Sequence, residues 1–167
     1  MGRTTDLRRA IKRSFVPLME GKGFRTDSRD MPHFLASRRV TPERIYVCDI
    51  QWEKYGRPRF VLNFGSCGPQ GVVCHGKEIK PADITPSATP WSGRLMPGSP
   101  RSTSGWFRQD RRLIQGLLKG SWLRPPDEVV GDLIDLFPEV EDHWKNGTVG
   151  KHMTIHAVRW SVDKTAY

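Results

Sequence analysis

From Arg44 to Gly65 the apolar and polar positions alternate. In R-I-Y-V-C-D-I-Q-W the period of two places Ile45, Val47, Asp49 and Gln51 on one side of an extended chain and Tyr46, Cys48, Ile50 and Trp52 on the other. After the turn E-K-Y-G-R-P, the run R-F-V-L-N-F-G sends Phe60, Leu62 and Phe64 one way and Val61 and Asn63 the other. Two β-branched and aromatic runs joined by a short turn with Gly56 and Pro58 predict a hairpin. Upstream, residues 24–26 and 33–40 read as two further short strands, the second with Phe34, Ala36 and Val40 on one side and His33, Leu35 and Ser37 on the other. No crossover long enough for parallel pairing separates the four, so an antiparallel sheet is expected.

Period-3.6 patterns flank this sheet. Over 5–20, Leu7, Ala10, Ile11, Phe15, Leu18 and Met19 form one stripe and Arg8, Arg9, Lys12 and Arg13 lie around the other side, with Pro17 predicted to bend or end the helix near Phe15. Over 106–118, Trp106, Leu113, Ile114, Leu117 and Leu118 share a stripe opposite Arg108, Arg111 and Arg112, which predicts a second amphipathic helix. A third opens at Pro125-Pro126-Asp127-Glu128, with prolines and acids where a helix N-terminus favours them. There Pro138 is expected to restart the helix at an angle, and Asn146-Gly147 to end it. The tail K-H-M-T-I-H-A-V-R-W-S-V predicts a last strand. The fold class is therefore α+β: an antiparallel sheet of about four to six strands with an N-terminal helix and C-terminal helices packed on it.

At 167 residues the chain reads as a single domain, 1–167. Its weak stretch is 66–105, with six prolines and six glycines, where only 71–75 looks strand-like. The Pro/Gly-rich part at 76–105 is expected to be irregular, either a lid or partner-binding loop or, at least equally, a poorly ordered insertion. The absence of a long apolar run or a signal-like N-terminus points to a cytoplasmic protein that needs no membrane. Three cysteines, Cys48, Cys67 and Cys74, fit a reducing compartment.

Charge changes the picture of function. The net +9 is uneven: residues 1–60 carry +7, residues 61–120 carry +5, and residues 121–167 carry −3. Seven acids and no Lys or Arg lie between Asp127 and Asp142. A basic field of this kind attracts polyanions and acidic protein surfaces alike. The acidic helix is expected on the same side of the sheet as the basic N-terminal helix, where it would cancel part of that field.

Candidate chemistry is sparse. Cys48, Asp49, His33 and His75 are the residues that could serve acid-base or nucleophilic work, and no phosphate loop, dinucleotide fingerprint, G-x-S-x-G or H-E-x-x-H accompanies them. Cys67, Cys74 and His75 lack the spacing of zinc ligands, and His152 and His156 on a strand stand too far apart for one ion, so neither metal nor cofactor is expected. Asp49 and Gln51 are the polar strand residues to inspect first.

The opening L-R-R-A-I-K-R-S-F-V-P-L-M-E-G-K-G-F, then D-I-Q-W, V-L-N-F-G, R-L-M-P-G, G-W-F and a late V-V-G-D-L-I-D-L-F-P-E-V resemble the bacterial domain-of-unknown-function 4304 family over roughly 7–144. The resemblance implies a single α+β domain and supplies no catalytic residues. The expected function is a non-enzymatic intracellular binding module, such as an immunity or accessory protein that occupies another protein's surface. Its candidate surface comprises Arg8, Arg9, Lys12, Arg13, Asp49, Gln51, Trp106, Arg108, Arg111 and Arg112, since aromatics beside arginines are enriched in interface hot spots. The alternative is a nucleic-acid-binding protein that uses the basic face of the first helix and the 106–118 segment.

Overall fold

The computed structural model describes residues 3–27, 34–74, 76–98, 105–111 and 121–157. The hairpin forms as its alternation predicts: β3 (Ile45–Trp52) pairs antiparallel with β4 (Arg59–Cys67), Asp49 opposite Asn63 and Ile50 opposite Leu62. The Glu53 carboxylate builds the turn, accepting the Tyr55 and Arg57 amides at 2.9 and 3.1 Å. β1 (Arg25–Thr26) and β2 (Phe34–Val40) extend the sheet beyond β3. On the far side β4 pairs with β7 (Trp91–Leu95), and β7 with β9 (Met153–Ala157). The two-residue β8 (Phe107–Arg108) continues along β4 at Arg59 and Phe60. Among the described residues the main sheet thus has seven strands, all antiparallel, in the order β1-β2-β3-β4-β7-β9 with β8 beside β4.

One face of the sheet carries the helices. α1 (Arg3–Ala10) passes into a π-helical turn, Ile11–Phe15, and then α2 (Val16–Gly21). Pro17, expected to bend or end the helix near Phe15, does not end it. It has no N–H to give the Arg13 carbonyl, and the ladder widens just before it, with the Val16 amide on the Ile11 carbonyl. Pro138 likewise sits inside an unbroken α3 (Pro126–Asn146), on the exposed side where water can meet the carbonyl it leaves unpaired. Gly147, at φ 72°, ends α3 with its amide on the His143 carbonyl.

Leu7, Ile11, Phe15 and Met19 from the N-terminal helix and Val129, Leu133, Phe137 and Val140 from α3 close one core with Ile50, Phe60, Leu62 and Phe64 of the sheet. Phe137 lies at its centre, edge-on to Phe15, Phe24 and Trp144 at 5.6, 6.4 and 6.3 Å between ring centroids. The acidic and basic helices therefore do share one side of the sheet. Arg13 pairs with Asp127, and Lys22 Nζ lies 2.7 Å from Glu141 Oε2.

The Pro/Gly-rich segment departs from its reading as an irregular loop. Beyond β5 (Val72–Cys74), in the stretch 71–75 that reads as strand, it holds the pairing strand β6 (Lys77–Ile79), two 3-10 turns at Pro81–Asp83 and Pro86–Ala88, and β7, an interior strand of the main sheet. Gly93 made β7 hard to read yet is what lets it pair there, because the Phe64 ring and Ile155 occupy the place of a side chain. The predicted helix over 106–118 is corrected at its start, where Phe107 and Arg108 are strand and Asp110 bridges to Leu123. Arg112, Leu113, Ile114, Leu117 and Leu118 lie outside the described residues, as do His33, His75 and the tail beyond Ala157.

Candidate functional site

Opposite the helices, the sheet presents rows of side chains set by the strand registers. Val40, Ile45 and Cys67 form one row and Val47 and Gly65 belong to the next; Val40 is exposed, while Ile45, Val47 and Cys67 are covered by Val72, Ile84 and Ala88 from the β5–β7 segment. Gly65 seats this cover. A side chain there would overlap the Thr89 hydroxyl, which is shared between the Pro86 and Trp91 carbonyls at 2.6 and 2.8 Å and anchors the second 3-10 turn to the sheet. Gly65→Val is expected to cost about 1–3 kcal/mol through overpacking, read as a lower urea midpoint together with faster amide exchange at Ala88 and Thr89, whose N–H groups close that turn.

The following row is polar and carries the site. Asp49, Asn63 and Arg94 stand side by side on β3, β4 and β7, with Gln51 one position along. Asn63 Nδ2 donates to Asp49 Oδ1 at 2.7 Å and to Gln51 Oε1 at 3.1 Å. Arg94 Nε donates to Asn63 Oδ1 at 3.0 Å and its Nη2 to Gln51 Oε1 at 3.4 Å. The belt fixes the Asn63 amide in one orientation, because the Arg94 donor requires the carbonyl oxygen on its side. Asp49 itself is only 8% exposed. Burial pushes its carboxyl up to about 6, against the Asn63 hydrogen bond and the Arg94 charge, which both favour the ionised form.

Where the cover stops short of β1 and β2, a cleft of about 900 Å³ opens, with Asp49 in its wall. Ala36 faces Asp49 across the β2–β3 pair and, being small, leaves the space above the carboxyl open. Ile84 and Pro86 overhang the cleft, and Arg38 ties floor to overhang by donating from Nη2 to the Ile84 carbonyl at 2.9 Å. Arg25, Asp27 and Asp83 are the other charged residues of the lining. Among the described residues Asp49 accepts hydrogen bonds through Oδ1 alone, so the second oxygen keeps its accepting capacity. The arrangement can hold a donor group from the cleft in a site partly removed from water.

The other sequence-predicted residues are brought to different places. Arg9 pairs with Asp6 and Arg13 with Asp127, Arg8 lies over the Trp52 ring at 4.7 Å, and Lys12 is exposed. Trp106 is half-buried beneath Arg59 at 5.2 Å, Arg108 pairs with Asp110, and the Arg111 amide bonds the Trp122 carbonyl. The arginine-aromatic pairs expected at an interface are thus formed within the fold, Arg39 between Phe24 and Tyr46 being a further case. Cys48 points to the helix side, into the core, where burial and then the Asp49 charge push its thiol well above the ordinary cysteine range. That removes it as a thiolate nucleophile. Among the described residues no group of three His, Cys, Asp or Glu side chains could hold a metal ion, and no helix is long and apolar enough to cross a membrane.

Sequence reasoning picked out Asp49 and Gln51 but not Asn63 and Arg94. Asn63 was legible as a polar position in the row facing Asp49. Arg94 was not, because its strand was unread. No family model, curated protein or solved structure matches the chain.

Proposed function

We propose that the protein is a binding module that holds a segment of another protein in the cleft beside Asp49, as an immunity or accessory protein would. The observation that carries this reading is the open cleft of about 900 Å³ over a buried carboxyl with accepting capacity to spare, held in place by a three-strand polar belt. Burying an ionisable group without using it is costly, so a ligand that uses it gives the arrangement a reason. The nucleic-acid reading is less well supported by the basic residues, because Arg9, Arg13 and Arg108 each already sit beside an acid, the first two at the surface.

The test fills the cleft without touching the belt. Ala36→Phe is expected to abolish capture of a stoichiometric partner that the wild-type protein retains at moderate salt, with the melting temperature of the variant confirming that it folds. Equal capture by both proteins overturns the cleft reading. In parallel, labelled oligonucleotides should bind no tighter than about 100 μM at low salt. Tighter binding that falls steeply with salt would replace this reading with the nucleic-acid one.

A further inference from the structure

We propose that the group seated on Asp49 is a long basic side chain, the ammonium or guanidinium of a lysine or arginine presented by the partner's segment. This rests on the cleft being the binding site. Three features of the cavity point to a cation. First, Asp49 uses Oδ1 for Asn63 and has accepting capacity left, and an acceptor this deeply buried is best met by a charged N–H donor. Second, Arg94 reaches the belt from the β7 side and is committed to Asn63 and Gln51, so it does not fill the cleft side of the carboxyl. Third, the charges lining the opening balance, Asp27 and Asp83 against Arg25 and Arg38, so Asp49 is the surplus carboxylate there that a cation would neutralise. Ala36 supplies the remaining condition, since a larger residue opposite Asp49 would close the path to it.

A long side chain suits the site because Asp49, only 8% exposed, stands in the wall of a cleft that Ile84 and Pro86 also line. Lysine and arginine also place an apolar stem along the aliphatic walls, Val47 and Ile84, while the charged head is at Asp49.

The probes are N-acetyl-arginine amide, N-acetyl-lysine amide and the neutral isostere N-acetyl-citrulline amide, titrated into the full-length protein and followed by amide chemical shifts. The arginine or lysine probe should give saturable shifts at Ala36, Asp49, Asn63 and Ile84, with citrulline weaker by about tenfold or more. Asp49→Asn should remove that preference while keeping the Asn63 hydrogen bond and the fold. Three results overturn the assignment: no saturable shift with either cation, equal binding of citrulline, or undiminished cation binding by Asp49→Asn. The comparison within the wild-type protein stands even if the variant is unstable. A partner lost on Ala36→Phe but kept on Asp49→Asn would remove the cation and leave the binding module in place.

Discussion

Phe137→Ala is expected to lower the unfolding free energy by about 3–5 kcal/mol, the range for deleting a fully buried aromatic from a packed core. The site cannot collapse easily. Phe137 is 0% exposed and meets Phe15 and Phe24 from the N-terminal segment as well as Trp144 from its own helix, so no single neighbour can move in without uncovering another. For a chain of this length the loss corresponds to a fall in melting temperature of roughly 10 °C. Urea titration should show a lower midpoint at an unchanged slope, and Phe137→Leu should recover more than half of the loss. A shift under about 1 kcal/mol, a third of the smallest loss expected for such a site, would mean that α3 is not seated on the sheet as described.

Asp49→Asn should act in the opposite direction, and its effect should depend on pH. In the folded protein burial raises the Asp49 carboxyl to about 6, above the ordinary carboxylate value near 4 that it regains on unfolding. Between those values the folded state holds the extra proton. Stability from this group is therefore fully present below about pH 4 and is lost as pH rises through 6. The difference amounts to an order of 3 kcal/mol. Asparagine does not titrate and can still accept from Asn63, so the variant should gain on the wild type by that order between pH 4 and 7.5. Chemical denaturation at several pH values measures it. Parallel curves for the two proteins would show that Asp49 is not the buried group of the belt.

Both effects, if found, would describe a scaffold that is strong on the helix side, where aromatic packing closes the core, and that gives up stability at the cleft. A carboxyl is kept there with poor hydration, as the proposed binding role would explain.

Much of the scaffold was legible from local pattern. Alternation at 45–52 and 60–65 gave the hairpin and sorted its side chains correctly onto two faces, because period two is a property of the strand itself. The stripe at Leu7, Ile11, Phe15 and Met19 gave the first helix for the same reason, and the acid-first, Gly-last sequence of 126–147 gave α3. Neither proline ends its helix. A sequence shows the lost N–H, but whether the helix breaks depends on whether packing on both sides holds it together.

What the sequence by itself determined was the fold class, the two faces of the central hairpin and the placing of Asp49 and Gln51 on the face opposite Tyr46 and Trp52. Tertiary structure alone decided what that face does. The short strand at 91–95 has no clear alternation and contains Gly93, so only pairing with both β4 and β9 reveals it, and with it the Arg94 that completes the belt. The cleft depends on residues 82–87 folding back over strands that lie more than 30 positions away in the chain, and no local pattern encodes that distance. The arginines show the same limit. Their positions were visible, but their charges are met by Asp6, Asp110 and Asp127 and their planes by Phe24, Tyr46, Trp52 and Trp106, and most of those partners are brought near by folding alone.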